Sequence, residues 1–372
     1  MPDSRLEAFF ASERKYNAER KNALTKESLA DIPIAYASCS IGCKASHTLP
    51  KKLDAIAKAG FTAIELSMPD LLEFANQIRD EGKREVGPYD FDELGRAATE
   101  VKKLCDSHNL KILVLQPFAN FEGWPEGSPE REDAFTRLRG WIRIMQAAGT
   151  DMLQVGSSDS PAEKIGTDRS RFVKDLQELT DILAEKGLRV AYENWCWSTH
   201  APDWKDVWDI CQKVNRPNFG LCLDTFQSAG GEWGDPTTAS GMVEDGRSPE
   251  QVTADWQASC KKLASTIPAE KIFFLQISDA YKPNSPFSKD VDESGLRPRG
   301  RWSHDSRPLP FKGYLPTVDF AKAVLGTGFR GHFSYEIFDG GSDGEGIEYE
   351  MEEFAREAME CQKKLLEACV DS

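Results

Sequence analysis

From Ile32 onward the chain alternates between two hydrophobic patterns. Short apolar runs rich in β-branched residues come first, and stretches with apolar residues at helical spacing follow each of them. The runs predict strands at Ile34–Ser40, Phe61–Ser67, Lys111–Pro117, Asp151–Gly156, Leu188–Trp195, Phe219–Asp224, Lys271–Ser278 and Gly331–Phe338. The stretches between them predict helices. Leu176, Leu179, Ile182 and Leu183 form one clear face, with Gly187 as its C-terminal stop. Leu94, Ala97, Val101 and Leu104 form another, and Trp204, Val207, Trp208 and Cys211 a third. Strands without strict alternation specify a parallel sheet covered on both faces. A count of eight strand–helix units favours closure into a (β/α)8 TIM barrel over an open doubly wound sheet. The expected organisation is one α/β barrel domain over residues 32–368, preceded by a charge-rich N-terminal helical extension over residues 1–31. Two long inserts, Gln227–Ser248 and Ala280–Leu315, leave the C-terminal ends of strands, where barrel enzymes keep their active sites.

Composition narrows the class. A net charge of −15 argues against nucleic-acid or anionic-membrane partners, although a small anionic substrate meets only local charge. The nine cysteines show no CxxC or zinc-finger spacing and read as small buried hydrophobes. The opening MPDSRLEAFF resembles neither a signal nor a transit peptide, and no apolar run is long enough to span a bilayer. A cytoplasmic protein is the expectation. No GxGxxG or GxxxxGK[ST] follows a strand, which removes the usual nucleotide-binding readings.

The chemistry concentrates at the ends of the last strands. AYENW, LCLDTF, FFLQISD and FSYEIF place Glu193, Asp224, Gln276 and Glu336 at the C-terminal ends of strands five to eight. Each alone could cap a helix. Four in register on consecutive strands converge on one centre, and three carboxylates with a neutral amide form a hard oxygen shell suited to Mg2+ or Mn2+.

These motifs resemble the sugar phosphate isomerase/epimerase-like barrels, the superfamily of xylose isomerase-like enzymes and endonuclease IV. Within it they resemble the 3-dehydroshikimate dehydratases. Gln116-Pro117-Phe118 with Phe121-Glu122-Gly123 is similar to the strand-three signature. Tyr192-Glu193 with Trp197 and His200 is similar to the strand-five stretch, and Leu223-Asp224-Thr225-Phe226 to strand six. Gln276 stands where related sugar epimerases tend to carry His, and Ser306-Arg307-Pro308-Leu309-Pro310 resembles the loop over the substrate. The chain departs from the dehydratase pattern at Gln227, where the resemblance leads to His, and at Ala119-Asn120, where it leads to a basic residue.

The resemblance implies a metal-dependent lyase that turns 3-dehydroshikimate, a small anionic cyclic substrate, into protocatechuate in quinate or shikimate catabolism. Such a reaction needs a Lewis acid, a base for a carbon acid and an anchor for the substrate carboxylate. Glu193, Asp224, Gln276 and Glu336 would hold the metal. Arg307 is the expected anchor, since a guanidinium grips a carboxylate through two parallel hydrogen bonds. His200 is the expected base, as it follows strand five and histidine is the side chain suited to proton transfer near neutral pH, with Glu193 or Glu336 as the alternatives. Glu65, Gln116, Gln227 and His304 would line the substrate site. A keto-sugar isomerase or epimerase using the same metal is the competing enzyme reading. A non-catalytic ligand-binding barrel is the reading from another class. A homo-oligomer is compatible with all three.

Overall fold

A computed structural model describes residues 23–371. The apolar runs become β1 (Ile34–Ala37), β2 (Ala63–Ser67), β3 (Lys111–Phe118), β4 (Met152–Gly156), β5 (Arg189–Glu193), β6 (Phe219–Asp224) and β7 (Ile272–Ile277). Next come a two-residue strand β8 (Ser306–Arg307), then β9 (Phe333–Tyr335) and β10 (Phe338–Asp339). Strands β1 to β7 and β9 pair in parallel, and β9 closes on β1 through Ile34 opposite Phe333, giving a closed barrel. Helices lie on its outside, as expected of a (β/α)8 chain. The outward side chains, such as Val190 and Tyr192 on β5, join the large core against them.

The barrel interior has two layers, related by the period of two that governs strands. Ala35, Ala63, Val114, Met152, Ala191, Cys222 and Phe274 form a small apolar cluster. Two residues further along each strand, the same inward face reads Ala37, Glu65, Gln116, Gln154, Glu193, Asp224 and Gln276. The core is thus sealed below by hydrophobes and opens into a polar layer at the C-terminal end, where both long inserts lie.

Four α-helices among the described residues were not anticipated, the shortest being Ala162–Ile165. Met68–Ile78 follows β2 with no intervening turn and is started by Ser67, whose hydroxyl accepts from Asp70 N. Thr225–Glu232 turns the start of the expected loop Gln227–Ser248 into helix, because Asp224 caps it directly. Pro298–Asp305 lies within the second insert. The expected last strand Gly331–Phe338 is also divided: beyond β9 the chain leaves the barrel, Ile337 N donates to Ser40 Oγ, and β10 pairs antiparallel with β8. Of the expected extension, residues 1–22 lie outside the described residues. Residues 23–31 pack against the barrel: Leu24 and Leu29 are buried, and Leu24 O accepts from Asp371 N at 2.8 Å.

Candidate active site

A cavity of about 410 Å3 opens at the C-terminal mouth. Glu193, Arg307 and Glu336 lie at its floor, and Gln116, Asn120, Trp195, Trp197, Gln227 and His304 are among its walls. Trp195 and Trp197 stack on each other at 5.2 Å.

The floor is an acid cluster. Glu65, Glu193, Asp224 and Glu336 are all buried, and ligand oxygens of Glu193, Asp224 and Glu336 lie within 4.8 Å of one another. Asp224 divides its oxygens between two tasks. Oδ1 caps the following helix, accepting from Phe226 N at 2.5 Å and Gln227 N at 3.1 Å, while Oδ2 accepts from Arg307 Nη2 at 2.6 Å. Glu336 accepts from Arg307 Nη1 at 2.8 Å and from Gln276 Nε2 at 3.0 Å. Gln276 Nε2 also donates to Glu65, and its Oε1 is turned to Cys222 Sγ. Glu193 Oε2 accepts from Gln154 Nε2 and, at 3.3 Å, from Trp195 Nε1. Glu193 Oε1 and Glu65 Oε1 have no hydrogen-bond partner among the described residues.

This arrangement is short of positive charge. A buried ion without adequate pairing costs several kcal/mol. Burial pushes the carboxyl of Glu193 well up, with Glu336 and Asp224 adding to it, and burial followed by Glu336 lifts Glu65 to about 8. Burial also raises Asp224 and Glu336 despite Arg307. Burial works against the Arg307 charge, but Asp224, Glu336 and Glu193 hold the guanidinium firmly protonated. One guanidinium among four carboxylates leaves the cluster fit for a further cation. Its oxygens suit a hard divalent ion, whereas Cys222, its thiol lifted well up by burial, suits none.

Two expectations are corrected. His200 does not line the cavity. Its Nε2 lies 2.8 Å from Glu122 Oε1 and its ring stacks on Phe172 at 3.9 Å, so it is held behind the wall and cannot serve as the base there. Arg307 reaches the cavity but is committed. Besides Asp224 and Glu336, its Nε donates to Ser278 Oγ, so no paired edge remains for a substrate carboxylate. It neutralises the acid cluster instead. Gln116, Gln227 and His304 do reach the cavity; Glu65 lies beneath it against Gln276. Gln154 went unrecognised, although its place two residues after Met152 matches that of Glu193 after Ala191. Asp159 and Ser303 also line the cavity without having been singled out.

The xylose isomerase-like TIM barrel family model matches residues 53–365. A Neurospora crassa protein named 3-dehydroshikimate dehydratase is 33% identical over 85% of this chain and 88% of its own length. The chain belongs to the 3-dehydroshikimate dehydratases of the xylose isomerase-like family. A Pseudomonas aeruginosa protein of the same name is 30% identical over 80% of this chain, which spans 37% of that longer relative. A solved xylose isomerase-like TIM barrel/4-hydroxyphenylpyruvate dioxygenase fusion protein superposes with a TM-score of 0.64 at 26% identity, over 89% of this chain and 42% of its own. Membership makes the protein an enzyme of the dehydratase class of lyases. Among the described residues no helix is long and apolar enough to cross a membrane.

Proposed function

We propose that the protein converts 3-dehydroshikimate to protocatechuate with a divalent ion, Mg2+ or Mn2+, held by Glu193, Asp224 and Glu336, with Gln276 joining them on rotation of its amide. The observation that carries the reading is the excess of buried carboxylates over cations at the floor of the family's cavity. Bound there, the ion supplies a Lewis acid for the substrate ketone.

The remaining work falls to the chain. Glu193 is the proposed base. Gln154 and Trp195 hold its Oε2, which leaves Oε1 to take the proton α to the ketone. Burial and neighbouring acids raise its proton affinity in the direction a base needs. The same carboxyl returns the proton to the departing β-hydroxyl, which leaves as water while the ring aromatises. Arg307 orients Asp224 and Glu336 and opposes the effect of burial on their carboxyls. Trp195 and Trp197 give a flat apolar wall that suits a ring becoming planar and limits water. The free state of all nine cysteines supports a reducing compartment such as the cytoplasm.

The test is direct. Purified protein with Mg2+ or Mn2+ and 3-dehydroshikimate should develop the ultraviolet absorbance of protocatechuate, and chelation should abolish it. Keto-sugar epimerisation without any protocatechuate, under every metal tried, overturns the assignment.

A further inference from the structure

With Arg307 bound to its own acids, the substrate carboxylate needs another partner. That partner must lie away from the acid cluster, because like charges brought together cost several kcal/mol. Three of its acids, Glu193, Asp224 and Glu336, hang on β5, β6 and the end of β9 on either side of Gln276 on β7, and Glu65 lies beneath them on β2. In the closed order of strands, β3 stands diametrically across the barrel from β7. Just past the end of β3, Asn120 lines the cavity.

The setting of Asn120 determines which way its amide faces. Its Oδ1 accepts from Ser160 N at 3.1 Å, Ser160 Oγ at 2.8 Å and Ser158 Oγ at 3.0 Å. A backbone N–H can only donate, so the atom facing Ser160 N must be the oxygen. The amide nitrogen therefore points the other way, and among the described residues it donates to no protein group. The backbone is held as well. Asn120 sits at φ 52°, a left-handed conformation that Asn tolerates better than most residues. Its carbonyl accepts from Trp124 Nε1 at 3.0 Å and Arg137 Nη2 at 3.2 Å.

We infer that Asn120 is the residue that recognises the substrate carboxylate, through the outward N–H pair of its locked side chain. This rests on the proposed dehydration and adds an orientation. The ring lies across the mouth with its carboxylate toward β3 and its ketone toward the acid cluster. A neutral donor suffices there, since it is pre-oriented and no rotamer must be frozen on binding.

The test is the near-isosteric Asn120→Asp. An aspartate can keep the three Oδ1 bonds and tolerate the same backbone, so the fold should survive while the outward group changes from donor to charged acceptor. KM for 3-dehydroshikimate should rise about 100-fold, with kcat within a few-fold of wild type. Quenching of tryptophan fluorescence by protocatechuate, which needs no turnover, should show the same loss of affinity. Calorimetric affinity for Mn2+ should not change. Unchanged KM and product affinity in Asn120→Asp overturn the inference while leaving the dehydratase reading intact. A wild-type protein that makes no protocatechuate overturns that reading instead.

Discussion

Two buried acid clusters lie side by side at the mouth of this barrel, and they behave in opposite ways. Behind the wall, Glu122 is fully buried, and its Oε1 takes Ser158 N at 2.9 Å, Tyr192 Oη at 2.8 Å and His200 Nε2 at 2.8 Å. Burial alone would lift its carboxyl, but His200 and the Ser158 N–H overcome that and hold it below the usual range, even with Oε2 unpartnered. At the cavity floor, Glu65, Glu193, Asp224 and Glu336 are as deeply placed and share one guanidinium, and all four are raised. Burial is common to both clusters; the ratio of donors to acids is not. One acid with three donors ties the loops after β3 and β4 to β5. Four acids with one Arg leave a buried excess of negative charge that a cation could offset.

The sharpest way to break this contrast is at the floor. Glu193→Ala should abolish Mn2+ binding by calorimetry and lower kcat/KM by about 1000-fold or more, as expected for loss of a ligand and base together. Retained turnover would show that the ligand set is wrong. The corresponding change behind the wall should act on stability. Glu122→Ala leaves three buried donors without an acceptor and should cost about 3–5 kcal/mol in denaturant unfolding, while metal affinity in the folded fraction stays within a few-fold. Loss of metal binding without loss of stability would merge the two clusters. His200→Phe should cost about 1–3 kcal/mol, since it takes one of three donors from the buried Oε1 of Glu122, and kcat should fall less than ten-fold. A collapse of kcat with normal stability would restore His200 as the base.

The smallest effect is a slope in pH. Glu122 has a lowered carboxyl when folded, so its contribution is present above the ordinary carboxylate value. It is lost as pH falls through the lower folded value. Unfolding free energy measured from pH 6 down to pH 3 should therefore fall less steeply in Glu122→Gln than in wild type. Parallel curves would remove the ionised pair from the account.

Much of this site was readable in the chain. Glu193, Asp224, Gln276 and Glu336 could be placed because each ends an apolar run, and a strand carries its register in its own sequence. The same period would have found Gln154, had β4 been read for its inward face as β5 was. His200 and Arg307 were misplaced for a different reason. Both lie in long segments beyond strands, where no periodicity says what a side chain will meet. The partners of His200 are Glu122 and Phe172, from other loops and helices; those of Arg307 are Asp224 and Glu336, 83 and 29 residues away.

The sequence by itself determined the eight strands, the barrel and the residues able to ligate a metal, because hydrophobic period and strand ends are local properties. Only the tertiary structure decided which charges are neutralised, which oxygens stay unpaired and which way the amide of Asn120 faces. Those outcomes depend on how many donors reach a buried group from distant parts of the chain, and burial makes each such contact matter far more than it would in water.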